Sequence, residues 1–507
     1  MTVVEKIFQH CLSGPLKGDL MPRNVSLYLT APYMIYCEKF VDEAEKDSRS
    51  PYRELLLERG IEHERRVIER TYPGYRSPAY DKPEDGFRKL LEEMARGAPV
   101  ICGLPLFHLP ENMQGRIDVL ERRNDHTSIF GDYHYAVKEI KLSRKVRREH
   151  ILQGALYTYL VAKIQEFQPE TFSIINHDHW VFDYRFAEHE EDLFKALRGT
   201  QAILDGRESP SPTYNGSEWP WERYTNHQAL KSRDVSLVGQ VGPKTKEKLA
   251  ALGYCKIWDV AYAKPEALKK IQGISEATAR KLILSAQAIS GGQPILLDPS
   301  ALRFPEKSLE IFLDLEGTDE PDLEGEEEPV DYLIGILTRR DGREKYRPFM
   351  ARRFEEEGRM FSDFLGYLRS EKDYVLYHWH NYEKWHLKRL AERHDLTEEA
   401  GALIFPHMVD LHRVATSAFV FPTYSNGLKD VAAFIGYRWR HDDINALDAI
   451  AYYLRYQQDP AGYREKMDAV VDYNEDDCQA TKRVKDWLLE RSSNGPGATQ
   501  TQASGKL

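Results

Sequence analysis

In the stretch Glu310-Ile-Phe-Leu-Asp-Leu-Glu-Gly317 two carboxylates interrupt an apolar run. Alternate side chains of a strand share a face, so Asp314 and Glu316 point one way while Leu313 and Leu315 point the other. Adjacent carboxylates repel, and a divalent cation relieves that repulsion. A solvated acidic edge strand is the competing account, and it leaves Ile311 to Leu313 against water. A second set has similar logic. Gly115-Arg-Ile-Asp118-Val-Leu120 reads as a short apolar strand carrying one acid, and Tyr135-Ala-Val-Lys-Glu139-Ile-Lys141 places an acid and a lysine two apart on one face. Asp118 and Glu139 can hold Mg²⁺ or Mn²⁺, which polarises a phosphate and lowers the pKa of a bound water, while Lys141 orients that water or stabilises developing charge. A plain surface ion pair is the other account of Glu139 and Lys141.

The elements that must position these residues fall into three blocks. A chain of 507 residues exceeds one ordinary core, so two to four domains are expected. Residues 1–215 mix helix and strand patterns and end in the loop-like Ser209-Pro-Ser-Pro-Thr-Tyr-Asn-Gly216. Residues 228–292 read as all helix with small turns, residues 300–492 return to α/β character, and the apolar-poor stretch 493–507 reads as a disordered tail. With 41% hydrophobic and 30% charged residues, no apolar run of membrane-spanning length and no signal-peptide pattern in Met1–Leu20, a cytoplasmic protein away from membranes is expected. Five scattered cysteines build neither a disulfide framework nor a CxxC site and are expected as reduced thiols. The net charge of -11 argues against coating nucleic acid through the overall field, so any such affinity must be local.

In the first block Tyr52–Arg70 is a charged amphipathic helix containing Gly60-Ile-Glu-His63-Glu64, and His150–Ile164 is a helix carrying Gln153 and Tyr157 one turn apart. Taken with Gly115-Arg-Ile-Asp118 and Glu139-Ile-Lys141, these motifs in this order resemble the RecB-like branch of the PD-(D/E)xK nucleases. The resemblance implies a restriction-endonuclease-like α/β/α domain in which His63 is a further metal ligand, with Glu64 competing for that role, and in which Gln153 and Tyr157 flank the site. Some relatives hold an iron-sulphur cluster on four cysteines. Here Cys37 has no downstream CxxC, so no cluster is expected. The basic run from Lys138, with Arg144, Lys145, Arg147 and Arg148, puts positive charge beside the site for phosphate contact, a solvated helix start being the alternative.

The middle block has two glycine turns opening helices: Val238-Gly-Gln-Val-Gly242-Pro-Lys244-Thr245 before Lys246–Leu252, and Ile271-Gln-Gly273-Ile-Ser275 before Glu276–Ala288. Helix N-terminal amides can hold a phosphate. The pair resembles a tandem helix-hairpin-helix, a small all-α module that binds nucleic-acid backbone, which implies contacts at Gly242, Lys244, Thr245 and Gly273. Gln240 and Ser275 depart from that family's Gly-hydrophobic-Gly turn.

In the last block strands are expected at Val330–Leu337 and Tyr374–Tyr377, with an acidic loop at Glu324–Glu328. His378-Trp-His-Asn-Tyr-Glu383 precedes a helix (Lys384–His394), Tyr424-Ser-Asn-Gly-Leu-Lys429 precedes another, and Tyr473-Asn-Glu-Asp-Asp477 is expected to start the helix that runs to Glu490. Strand acids first and helix acids later is the order that a two-metal exonuclease requires. The block resembles the RNase H-like DEDD exonucleases, YprB-type proteins included. The resemblance implies metal ligands at Asp314, Glu316, Glu383 and Asp477, with Asp476 the alternate to Asp477, and a water-positioning Tyr473. His378 and Glu383 stand where the family has Asn and, five residues later, Asp, and so depart from the pattern.

Taken whole, the architecture is similar to the TM0106 family of RecB-like nucleases. That implies an α/β multidomain, Mg²⁺- or Mn²⁺-dependent nuclease acting on single- or double-stranded DNA in repair, recombination or defence. A nucleic-acid-binding scaffold with one or both sites degenerate, or an RNA-processing nuclease, is the alternative; nothing in the sequence reads the 2′-hydroxyl, and protein partners are not specified.

Overall fold

A strand buried on both faces needs apolar residues at odd and even positions alike. In the computed structural model, which describes residues 1–14, 17–239, 241–320, 328–441 and 444–493, the central strands of two sheets meet that condition. Gln240, the acidic loop at 324–327 and the tail from residue 494 lie outside the described residues. The chain divides into two compact units, one on Met1–Ala229 and one on Leu230–Asp319 with the chain from Pro329 onward.

The first unit is organised on a five-stranded sheet flanked by helices α1 (Pro51–Thr71) and α2 (Arg148–Gln165). Its strands β1 (Val100–Cys102), β2 (Val119–Arg123), β3 (His134–Ile140), β4 (Thr171–Ile175) and β5 (Val181–Arg185) lie in sequence order. All neighbours are antiparallel except β3 and β4, which run parallel because α2 carries the chain back between them. The expected single strand across Gly115–Leu120 is instead two: Met113–Arg116 pairs in a separate ribbon, and β2 resumes at Val119. At the break the Gly103 N–H reaches the carbonyls of Ile117 and Asp118, which turns the chain from ribbon to sheet and leaves Asp118 at the junction.

The second unit opens with the helical block, including α3 (Pro243–Ala250) and α4 (Glu276–Gly291). Its sheet contains β6 (Leu309–Gly317), β7 (Asp331–Arg340), β8 (Arg343–Met350), β9 (Tyr374–His378) and β10 (Met408–Asp410), in the order β8-β7-β6-β9-β10. The strand β6 is therefore central. Leu309, Ile311, Leu313 and Leu315 pack with Phe361 and Phe364 on one side, and Phe312 packs with Cys478, Val484 and Trp487 on the other. The helices that bear on the site are α5 (Tyr382–Arg393), α6 (Leu428–Phe434) and α7 (Arg464–Ser493). The strand β8 has no counterpart among the sequence expectations, because its residues REKYRPFM carry no apolar alternation: it is a largely exposed edge. Tyr473 to Asp477 lies inside α7 rather than at its start, since Met467 and Val470 extend the apolar face N-terminally against Tyr332 and Tyr453.

Candidate functional site

Asp314 and Glu316 leave the face of β6 that α7 covers, and α7 contributes Asp477. One carboxylate oxygen from each lies within 4.8 Å of the others, and among the described residues no other three His, Cys, Asp or Glu side chains converge as closely. Burial, with Asp477, Glu316 and Glu383 nearby, holds Asp314 well above the usual carboxylate range. Burial and then Asp477 push Glu316 up to about 8. Burial also raises Asp477, to about 6, opposed by the Trp439 Nε1–H that donates to its Oδ1 at 2.7 Å. Three mutually repelling hard oxygen donors suit a divalent cation such as Mg²⁺ or Mn²⁺.

The neighbours of this group determine which acids join it. Asp476 is turned away, accepting from Tyr437 Oη (3.1 Å) and from Arg440 N and Nε (2.8 and 2.9 Å). Tyr473 is buried beside Asp477, and burial pushes its phenol far above its ordinary value. The Lys429 ammonium on α6 sits 4.7 Å from the Tyr473 ring centroid and draws Glu316 and Asp477 toward their charged forms. Glu383 lies outside the group of three. It is the second residue of α5, and its long arm folds back on the end of β9, with Oε2 3.6 Å from His378 Nδ1 and Oε1 accepting from the Trp379 N–H at 3.4 Å. It still acts on Asp314 and Glu316 through its charge. Trp439 and Asn474 are functional candidates that sequence reasoning missed. Asn474 donates its amide to Asp314 Oδ2 at 2.6 Å, and its position next to Tyr473 was the available signal.

In the first unit Asp118, Glu139 and Lys141 come together. Lys141 Nζ is 2.7 Å from Glu139 Oε1, the Ile140 N–H donates to Asp118 Oδ2 at 2.8 Å, and Asp118 also hydrogen-bonds Glu139. Burial and the adjacent Asp118 push Glu139 up to about 8, against the pull of Lys141. Burial alone would lower Lys141, but Glu139 and Asp118 outweigh it and raise the ammonium. Glu139 Oε2 is buried with no hydrogen-bond partner. Glu64 lies within electrostatic reach of both acids and ion-pairs with Arg116 at 3.3 Å. His63, expected as a metal ligand, hydrogen-bonds the Lys141 backbone, and its Nε2 is buried with no hydrogen-bond partner. Its ring is buried, stacked on His177 (5.3 Å between centroids) and near His179 (5.9 Å). Burial, with those two rings, lowers it to about 4. Tyr157 donates its Oη–H to the Arg116 carbonyl at 2.7 Å, and Gln153 sits half-buried one turn earlier on α2. Of the basic run, all four of Arg144, Lys145, Arg147 and Arg148 are exposed, but Arg144 and Arg148 pair with Asp178 and Asp192.

In the helical block Gly242 caps α3, Lys244 is exposed on its first turn, and Thr245 is half-buried beside it. Gly273 has φ of 93°, the left-handed conformation that glycine adopts without strain. Lys248 Nζ donates to the Gln272 carbonyl at 2.9 Å and ties α3 to the second turn, while the buried pair Lys246–Asp234 (3.0 Å) anchors α3.

A family model of the RNase_H superfamily matches residues 311–489, and one described as a SAM-like Helix-hairpin-helix tandem matches residues 232–288. No curated protein matches the chain. The chain therefore carries an RNase H-like domain, whose superfamily points to nuclease-type chemistry, and a helix-hairpin-helix tandem, which points to nucleic-acid binding. Among the described residues no helix is long and apolar enough to cross a membrane.

Proposed function

We propose that the chain is a metal-dependent nuclease hydrolysing DNA phosphodiesters, with the RNase H-like domain trimming 3′ ends. The single observation that carries this is the convergence of Asp314, Glu316 and Asp477 inside the matched superfamily domain. Those three carboxylates would hold Mg²⁺ or Mn²⁺, which when bound polarises the phosphate and lowers the pKa of water. Tyr473, fixed beside Asp477, orients the water. Lys429, over the Tyr473 ring, places a positive charge where a non-bridging phosphate oxygen arrives. The helix-hairpin-helix tandem holds backbone through Gly242, Lys244, Thr245 and Gly273. In this reading the first unit is a second, PD-(D/E)xK-type site, in which Asp118 and Glu139 take the metal and Lys141 acts on the water.

The offset of Glu383 toward His378 favours a second reading for the RNase H-like site, that of a slow or degenerate centre on a nucleic-acid-binding scaffold. One experiment separates the two. Purified protein is incubated with Mg²⁺ or Mn²⁺ and end-labelled single- and double-stranded DNA and RNA, alongside Asp314→Ala and Glu139→Ala. Loss of 3′ trimming in Asp314→Ala alone is expected. Substrates untouched by the unaltered protein would overturn the enzyme reading, and activity surviving both changes would overturn the site assignments.

A further inference from the structure

Asp314 and Glu316 repel each other when no cation lies between them, so the metal-free fold needs something to hold them together in the geometry that a cation enters. Asn474 is fully buried on α7, between these carboxylates and the neighbouring strand β7. Its Nδ2 donates to Asp314 Oδ2 at 2.6 Å and it also hydrogen-bonds Glu316. Its Oδ1 accepts from Tyr346 Oη on β8 at 2.8 Å. In the metal-bound state the acids are ionised and only accept, which suits the NH₂ facing them and the carbonyl oxygen facing the hydroxyl. A hydrogen bond to one oxygen of Asp314 leaves the other for a metal.

The seat for this amide is cut into the sheet. Gly335 stands directly opposite Asp314 in the β6–β7 register. A Cβ there would overlap Asn474 Oδ1 and come within 2.9 Å of Tyr346 Oη. Gly335 has an ordinary backbone conformation, so the glycine is explained by this clearance and not by a positive φ. Three residues from three elements thus build one support for the first two acids.

We propose that Asn474 is a positioning residue, seated by Gly335 and oriented by Tyr346, which holds Asp314 and Glu316 in the geometry that receives the divalent cation. The proposal rests on the metal-dependent reading of the RNase H-like site. Outer partners of metal ligands commonly change metal affinity about 10- to 100-fold, which sets the expected size of the effect.

The test is Mn²⁺ binding to the full chain, followed by the paramagnetic resonance signal of free Mn²⁺, in a Glu139→Ala background so that only this site is counted. Asp314→Ala defines loss of the site. Asn474→Ala and the similarly sized Asn474→Leu, which both remove the amide donor, should each weaken Mn²⁺ binding about tenfold or more. Gly335→Ala should match Asn474→Ala, and the double variant should be no weaker than either, since both act by removing the amide from its seat. Tyr346→Phe should fall between them and the unaltered protein. For Asn474→Ala, kcat for DNA cleavage should recover at saturating Mn²⁺, which general loss of structure would not allow. If Asn474→Ala and Asn474→Leu both bind Mn²⁺ within twofold of the parent while Asp314→Ala does not, the proposal is overturned and the metal reading stands. If Asp314→Ala also binds unchanged, the metal reading itself falls and takes the proposal with it.

Discussion

Trp439 Nε1 lies 2.7 Å from Asp477 Oδ1, so a half-buried indole N–H is aimed at the one acid that α7 supplies to the group on β6. That donor favours the charged form of Asp477, against burial, which disfavours it. Trp439→Phe keeps most of the ring volume and removes the donor. It should raise the Asp477 pKa, weaken Mn²⁺ binding at neutral pH, and cost about 1–2 kcal/mol of stability, all measurable by metal titration and urea unfolding.

Stability without metal should fall as pH rises. Glu316 and Glu139 are both pushed up to about 8 by burial and by an acid alongside. A carboxyl raised in the folded state contributes stability that is fully present below its unfolded value near 4.5 and is lost as pH rises through the folded value. In a chelator the melting temperature should therefore drop between about pH 5 and pH 8. Saturating Mn²⁺ binds the ionised forms and should stabilise more at the alkaline end. A larger Mn²⁺-induced shift at the acid end would contradict the assignment.

Gly115 marks where the first candidate site is packed. A Cβ there would lie 2.6 Å from Tyr157 Cε1 and 3.3 Å from Pro22 Cγ. Gly115→Ala should destabilise the first unit by about 1–3 kcal/mol through overpacking, seen as an earlier urea transition. It should also displace Tyr157 from the Arg116 carbonyl, next to Asp118.

Lys244 offers a test of the helix-hairpin-helix tandem. It is exposed on the first turn of α3 and can meet a phosphate. Lys244→Ala should weaken DNA binding in fluorescence anisotropy to a similar degree for unrelated sequences, and make the slope of log affinity against log salt shallower by about 0.9. An unchanged slope would remove Lys244 from the contact surface.

Strand alternation by itself was enough to place Asp314 and Glu316 on one face, and Glu139 and Lys141 on another, because a period of two holds wherever an extended chain runs. Motif order was enough to expect an RNase H-like block and a helix-hairpin-helix pair. Periodicity does not say how a helix is rotated against a sheet. Only the packing of α7, extended N-terminally by Met467 and Val470, decided that Asp477 faces the strand acids while Asp476 goes to Arg440. One residue along a helix is a turn of about 100°, enough to exchange the two acids. The same limit leaves Glu383 at the end of β9 with His378. Asn474 and Gly335 are 139 positions apart in the numbering and acquire meaning only when β7 lies beside β6 and α7 crosses both. Local sequence determined which residues could do the chemistry, and long-range packing decided which of them meet.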